Sequence, residues 1–178
     1  YLDGMLFAAE LHRTRGWRGV DAAYSTLPDC TEHVLHPDRY TRGDTRERVE
    51  LPALSELEAS GWAQEQEDTL GELEIGIYFG QGTQSDVDRP AADGWAGDRI
   101  RLYAKDGVHA AVWFMQWDDE AAAREAETAA RRVAGLDTAA GHAVDRKGRS
   151  LLVTRHLPEP ELIAMRTAFR AWADAPRA

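Results

Sequence analysis

The sequence predicts an α+β fold, with a helical N-terminal half followed by a small antiparallel sheet covered by helices on one face. Apolar residues recur at helical spacing over residues 1–80, and residues 94–178 carry alternating segments between turn signals, with two helices. Asp106-Gly107 is a strong hairpin signal within the second region. Helices and strands segregated in this way pack as layers around a shared core. We expect the two regions to form one compact unit.

Composition restricts the class of protein. The chain has 178 residues, enough for one domain with a sizeable core, and is 43% hydrophobic and 29% charged. Its net charge of −10 argues against a nucleic-acid partner, because phosphate binding requires clustered positive charge. No apolar run approaches the ~20 residues of a transmembrane helix, so none is predicted. Cys30 is the only cysteine, which precludes an internal disulfide.

The chain begins at Tyr1 and enters a helical pattern at once. We interpret this as a fragment or a processed product whose targeting segment is missing from the sequence. The expectation is an exported or cell-envelope protein, with a cytoplasmic location left open.

Several short helices are predicted in the first half. Gly16 separates two of them, and Pro37 ends another because proline disfavours helix at the residue before it. Thr69 and Glu72 have capping-box spacing and begin a further helix, which we prefer to a strand that would alternate equally well over 73–79. The expected elements are helices over 2–14, 17–25, 31–35, 53–60 and 70–79, an edge strand over 49–52, and loops over 41–50 and 81–92.

The second half alternates strands with two helices. Residues 108–117 carry apolar side chains on both faces, which predicts a central strand. Trp113 and Trp117 share one face of that strand, an arrangement typical of a core. A long alanine-rich helix follows and is expected to end at Gly135. The expected elements are strands over 99–104, 108–117, 142–145 and 150–156, and helices over 120–134 and 161–173.

The stretch over residues 28–40 concentrates side chains that can do chemistry. Cys30, His33 and His36 include good zinc ligands, but positions i, i+3 and i+6 of a helix do not share one face, so no metal site is predicted. In the structural interpretation, Thr31 caps the helical turn and His33 lies in solvent.

His36 precedes a proline and is therefore held extended. Two roles are open for it. It could tie a loop to a neighbouring backbone, or it could act in a cleft with a carboxylate partner such as Glu32. Tyr40 completes this candidate catalytic set. A small hydrolase that uses His36 with Glu32 is one functional alternative.

A second constellation, Gly-Trp-Ala-Gly-Asp-Arg, lies at residues 94–99. As a ligand loop, its glycines would admit close approach and Arg99 would bind an anion, with Trp95, Asp98 and Thr31 completing the candidate binding set. As a structural turn, Trp95 would fill the core and Asp98 would pair with Arg99 at the start of a strand. The spacing of a nucleotide-binding glycine loop is absent.

Several stretches, in their order along the chain, resemble a family of bacterial and archaeal exported proteins, often lipoproteins, that look like zincin metallopeptidases. The family pattern runs Tyr-x-x-Gly-x-x-Phe, then Gly-Trp-x-x-Val-Asp-x-x-Tyr, then Pro-x-Ser-Thr-Glu-Gln-x-Leu-His-Pro-x-x-Tyr. Cys30 stands where this pattern has serine, and His33 where it has glutamine. The matching stretches are 1–7, 16–24 and 28–40, with further similar stretches at 70–72, 94–99 and 117–118.

The resemblance implies the non-catalytic C-terminal portion of a zincin-like metallopeptidase-type protein. The family's zinc-binding HExxH helix is not in this sequence, so no cofactor is expected in this chain, and zinc is expected only in a longer protein. The resemblance further implies that residues 31–40 line a cleft beside that helix, where His36 or Tyr40 would hydrogen-bond a developing oxyanion. The expected partner is the missing N-terminal region of the same protein or a peptide or protein ligand. The alternative is a stand-alone binding or interaction module with no enzymatic activity.

Overall fold

The computed structural model describes residues 1–83, 87–136 and 141–175. Its helices are α1 (Leu2–Ser25), α2 (Thr31–Leu35), α3 (Pro37–Arg42), α4 (Ser55–Ala59), α5 (Gly71–Gly80), α6 (Arg89–Ala92), α7 (Glu120–Leu136) and α8 (Glu159–Asp174), with a 3-10 turn over Gln81–Thr83. Its strands are β1 (Ala63–Asp68), β2 (Trp95–Lys105), β3 (Val108–Trp117), β4 (Ala143–Lys147) and β5 (Ser150–Arg155).

The strands in the described ranges form one antiparallel sheet with the order β1-β2-β3-β5-β4. β3 occupies the centre, as its two apolar faces predicted, and pairs with β2 and β5. The predicted hairpin between β2 and β3 is confirmed. It turns at Asp106 and Gly107, both at positive φ (49° and 78°), the conformation that matches the twist of paired strands. The predicted α+β fold class is confirmed.

Helices cover both faces of the sheet, whereas the sequence predicted one. On the first face, α4 and α8 pack against Phe114 and Leu152, and Phe169 of α8 meets Phe114 edge to face. On the second face, α5, α6 and α7 surround Trp95 and Trp117. Both faces carry a core because the central strands have apolar side chains on both sides of their pleat.

Most of the predicted helices are confirmed. Gly16 interrupts α1 with φ 64° and ψ −168°, so this element consists of two helical segments joined at a non-helical residue. The segment after Thr69 is a helix, α5, and not a strand. α7 continues past the predicted end at Gly135 to Leu136. Residues 84–86 of the predicted loop lie outside the described residues.

The edge of the sheet differs from the prediction. The predicted strand over 49–52 is wrong: the segment is irregular, although Val49 and Leu51 are buried against the core. Pro52 has no N–H to offer to a strand ladder. The edge strand next to β2 is β1. The sequence did not reveal β1 because the side chains of β1 are polar, mostly exposed and do not alternate with apolar ones. The sheet therefore takes one strand from residues 1–80.

Candidate functional site

A helical corner between α2 and α3 presents His36. Pro37 cannot continue α2, but its fixed φ suits the first position of a new helix, so α3 begins there. His36 lies at the junction with φ −124° and ψ 79° and ends one helix while it precedes the next. The corner places α2 against α5, while α3 packs against α1 and α2.

Thr31 holds this corner against α5. The predicted cap on α2 is wrong by one residue: Cys30 occupies the N-cap position, and it makes no side-chain cap bond. The hydroxyl of Thr31 instead accepts a hydrogen bond from the Leu73 N–H of α5 at 3.3 Å. Gly71 permits the close approach, because a Cβ there would lie 2.6 Å from Thr31 Oγ1.

The N-terminus of α5 is capped from the sheet. Asp98, on β2, accepts hydrogen bonds from the Leu70 and Gly71 N–H groups at 3.0 and 2.9 Å. The same carboxylate accepts the indole N–H groups of Trp95 and Trp113 at 3.0 and 2.9 Å. Burial raises the pKa of Asp98, and the four N–H donors oppose that rise. A side-chain cap from the sheet thus replaces the predicted capping box.

Glu72 is consequently available for another contact. Its Oε1 lies 2.8 Å from His36 Nε2, and its side chain is only 5% exposed. Asp93 joins this pair, because the ligand atoms of His36, Glu72 and Asp93 all lie within 4.8 Å of one another. A histidine at a helical corner therefore meets a buried carboxylate and a second, exposed one.

Arg39 links this group to two further carboxylates. Its guanidinium donates a hydrogen bond to the buried Glu32 and lies 3.5 Å from Asp93 and 3.8 Å from Asp118. A crevice of about 370 Å³ opens beside these groups, lined in part by Glu32, Arg39 and Asp118. We call the whole set the carboxylate cluster, which comprises Glu32, His36, Arg39, Glu72, Asp93 and Asp118.

Negative charge is in excess in the carboxylate cluster, since four carboxylates face one guanidinium and one imidazole. Burial raises the pKa of Glu72, neighbouring carboxylates raise it further, and His36 opposes the rise. Burial also raises the pKa of Glu32 and of Asp118, and Arg39 opposes both shifts. Clusters of carboxyl groups whose pKa values are raised are a common feature of functional sites.

The geometry of His36 limits what it can do. Its Nε2 is occupied by Glu72, which fixes the orientation of the ring, so Nδ1 is the atom left for a ligand. The side chain is 30% exposed, enough for a solvent-borne group to reach it. The arrangement of a half-exposed imidazole held by a buried carboxylate resembles the base and orienting acid of hydrolytic sites.

The predicted catalytic set is partly brought together. Glu32 and His36 both belong to the carboxylate cluster, but the partner of His36 is Glu72 rather than Glu32. Tyr40 lies apart from these contacts: its hydroxyl donates to the Thr26 carbonyl at 2.5 Å. The catalytic roles of all three predicted residues stay predictions.

The predicted binding set falls into two places. Thr31 supports the cluster through α5, as described above. Trp95 is fully buried, as the structural alternative predicted, whereas Asp98, 1% exposed, is engaged by four N–H donors and not by the predicted pair with Arg99. Arg99 does not pair with Asp98; it donates to Glu67 at 2.7 Å and lines a different crevice. Anion binding by Arg99 stays a prediction.

The structural interpretation expected His33 to lie in solvent, and this prediction is wrong because His33 is buried. It is 6% exposed, and its Nε2 lies 2.7 Å from the Asp44 carbonyl oxygen. Burial raises the pKa of the nearby Cys30 thiol to about 11. Cys30 lies next to Asp29 and His33 and does not belong to the carboxylate cluster.

Four members of the carboxylate cluster were not identified from the sequence. Glu72 was assigned to a capping box, and the contacts of Arg39, Asp93 and Asp118 depend on pairings far apart in the chain. One signal was available: the stretches at 70–72 and 117–118 were already part of the resemblance.

A comparison with protein families places the chain. A family model described as a domain of unknown function, DUF8575, matches residues 56–171. The chain belongs to this family. No curated protein and no solved structure matches it. Within the described residues, no helix combines the length and apolar character that a membrane span requires.

The DUF8575 region and the segment before it share the carboxylate cluster. Glu72, Asp93 and Asp118 lie inside the matched residues, whereas Glu32 and the α2–α3 corner precede them. The cluster therefore forms where the family domain meets the N-terminal helices.

Proposed function

We propose that this chain is the non-catalytic C-terminal portion of a zincin-like metallopeptidase-type protein. In this proposal the carboxylate cluster lines a substrate cleft next to an HExxH helix carried elsewhere in the longer protein. The proposal includes an exported or cell-envelope location, as for the proteins that the chain resembles.

One observation carries the proposal: three of the stretches that make the resemblance, although distant in the sequence, converge at the cluster. The stretch 28–40 supplies Glu32 and His36, the stretch 70–72 supplies Glu72, and the stretch 117–118 supplies Asp118. A pattern that served only helix packing would have no reason to gather ionisable side chains at one partly open surface.

The cluster's own chemistry suits a peptide-binding cleft. The crevice beside the cluster is lined by four carboxylates and three arginines, so it offers charged partners for both the amino and the carboxylate groups of a peptide. His36, oriented by Glu72, can donate or accept a hydrogen bond at a peptide group through Nδ1. Arg39 keeps Glu32 paired and holds the corner next to Asp118.

Zinc, bound by the HExxH helix of the longer protein, would supply Lewis-acid chemistry at the peptide carbonyl. The residues of this chain would bind and orient the peptide and hold a proton at His36 or Glu72. No cofactor is proposed for the cluster itself.

The first test is the coding sequence upstream of Tyr1, which should encode an HExxH motif on a helix. The second is peptidase activity of the encoded full-length protein. We expect His36→Ala to lower kcat of the full-length protein about 100-fold, the size of effect that loss of one hydrogen-bond donor to a developing oxyanion has. Glu72→Gln should lower it less, because the amide still holds the ring of His36.

Tyr40→Phe provides a matched comparison within the same segment. Its hydroxyl bonds the Thr26 carbonyl outside the cluster, so the variant should keep most of the activity of the full-length protein. An upstream sequence without HExxH, or unchanged activity in His36→Ala, would overturn the proposal.

A stand-alone binding module is the second candidate, and one crevice favours it. This crevice, of about 630 Å³, is lined by Arg46, Arg48, Arg99 and Arg101, among others. Arg99 and Arg101 share the single carboxylate of Glu67, so positive charge remains for an anion.

Calorimetric titration of the 178-residue chain with inorganic phosphate and with acetate tests this second candidate. Binding that Arg99→Ala weakens by about tenfold or more, while the exposed Arg131→Ala leaves it unchanged, would support it. Absence of binding to either anion would remove it.

A further inference from the structure

A second cluster of ligand-type atoms lies at the N-terminal end of α2, apart from the carboxylate cluster. The ligand atoms of Asp29, Cys30 and His33 all lie within 4.8 Å of one another. Cys30 adopts an extended backbone conformation (φ −149°, ψ 164°) as the N-cap residue. The objection from helical periodicity concerned a site that includes His36; Cys30 and His33 alone are three positions apart, a spacing at which side chains are neighbours.

The hydrogen bonding of His33 determines which ring nitrogen is free. The Asp44 carbonyl oxygen, 2.7 Å from Nε2, can only accept, so Nε2 carries the proton. In the neutral ring Nδ1 then has a lone pair and no proton. Nδ1 is buried and makes no hydrogen bond among the described residues, although Asp29 Oδ1 lies 3.0 Å away.

A buried lone pair that faces a carboxylate and a sulfur atom needs a cation or a proton between them. Among the described contacts, no Lys or Arg side chain lies at His33 Nδ1, so the cation is either a proton on the imidazole ring or a bound metal ion. The arrangement matches a common feature of metal-binding histidines, whose second nitrogen donates to a backbone carbonyl and so fixes the ring orientation.

We propose that Asp29, Cys30 and His33 bind one zinc ion through Oδ1, Sγ and Nδ1. A thiolate and an imidazole favour zinc over magnesium or calcium, which prefer oxygen ligands. The side chain of Asp29 is 56% exposed and lines the 630 Å³ crevice, so the fourth position is open to water or a ligand. Binding converts the Cys30 thiol to a thiolate, and the proton leaves to solvent.

His36 takes no part in this site. Its Nε2 is held by Glu72 on the other side of the corner, although the spacing Cys30-x-x-His33-x-x-His36 places it nearby in sequence. The inference does not rest on the proposed peptidase relationship, because the site uses other side chains.

Titration of the reduced chain with cobalt(II), followed by displacement with zinc, tests the inference. One equivalent should bind and give a sulfur-to-cobalt charge-transfer band, which zinc then abolishes. Cys30→Ser should lose that band and weaken zinc binding by more than about tenfold, since loss of even a supporting group costs 10- to 100-fold. Asp29→Asn, at an exposed position, should weaken binding without disturbing the fold.

His36→Gln is the matched control and should leave both the band and the affinity unchanged. Thermal unfolding of each apo variant checks that the fold is retained. Cobalt binding without a sulfur band, or binding that survives Cys30→Ser but is lost in His36→Gln, would overturn the inference and assign the ion to the carboxylate cluster. Failure of the chain to bind either metal would overturn it as well.

Discussion

Asp98 and Glu72 are both buried carboxylates near the N-terminus of α5, yet their surroundings are opposite. Asp98 is 1% exposed and accepts four hydrogen bonds from neutral N–H donors. Glu72 is 4% exposed and has one imidazole partner, with further carboxylates nearby. Burial alone therefore does not identify a functional carboxylate. The groups around it, neutral N–H donors or other ionisable side chains, distinguish a structural role from a functional one.

The four donors make Asp98 a structural residue. Its carboxylate ties β2, β3 and the start of α5 together, because the two tryptophans lie on the strands and the two backbone N–H groups on the helix end. These helix N–H groups would otherwise lack partners. The carboxylate cluster instead holds repelling groups side by side, an arrangement that costs stability and is typical of sites with a function.

The largest expected effect is that of Asp98→Ala. It leaves two indole N–H groups and two helix N–H groups buried without acceptors, and each such loss is costly. We expect the free energy of unfolding to fall by about 4 kcal/mol, measured by urea denaturation.

Asp98→Asn refines this measurement. Its amide oxygen can still accept hydrogen bonds, but its NH₂ group would face donors, so it should fall between wild type and Asp98→Ala. A loss below about 1 kcal/mol for Asp98→Ala would show that the carboxylate does not tie the elements together.

An intermediate effect is expected at Glu67, a carboxylate placed between two arginines. Hydrogen bonds from Arg99 and Arg101 lower its pKa despite partial burial. A lowered pKa in the folded state stabilises the protein above the ordinary carboxyl pKa, and this contribution is lost as pH falls. Glu67→Gln should therefore cost about 1 kcal/mol near neutral pH and less in acid, as followed by urea unfolding over a pH series.

The exposed pair on α7 provides the control for that series. Glu120→Gln removes a carboxylate 3.4 Å from Arg124 at the surface and should change stability by less than about 0.5 kcal/mol at any pH. Equal pH profiles for Glu67→Gln and Glu120→Gln would contradict the role given to the two arginines.

Local patterns allowed much of the sheet and most helices to be predicted. Asp106-Gly107 identified the hairpin, and the apolar run before Trp117 identified the central strand. β1 could not be predicted because its pairing depends on backbone hydrogen bonds to β2, and its own side chains are polar and mostly exposed. The periodicity of Val49 and Leu51 reflects packing against the core without strand pairing.

The candidate site was less predictable, for a physical reason. His36 and Glu32 were identified because they lie in one short stretch. Glu72 is free to contact His36 because Asp98, and not Glu72, caps the N-terminus of α5. Capping-box spacing at Thr69 carries no information about a competing acceptor on a distant strand. The cap from Asp98 on β2 is therefore the reason that Glu72 contacts His36 and does not form the predicted capping box.

The smallest expected effect, and the one that distinguishes the two carboxylates by sign, is that of Glu72→Gln. Burial and neighbouring carboxylates raise the pKa of Glu72. A raised pKa in the folded state means that ionisation of Glu72 opposes folding, so its cost grows as pH rises through and above the ordinary carboxyl pKa. Glutamine removes this charge and still can accept the His36 bond.

The stability of Glu72→Gln relative to wild type should therefore be near zero at about pH 4 and should have risen by about pH 8. Urea denaturation at both pH values measures the difference. The trend is opposite to that of Glu67→Gln, whose relative stability falls over the same range. A Glu72→Gln variant that loses stability as pH rises would mean that the neighbouring cations outweigh the carboxylates, and that the excess of negative charge in the cluster does not control its ionisation.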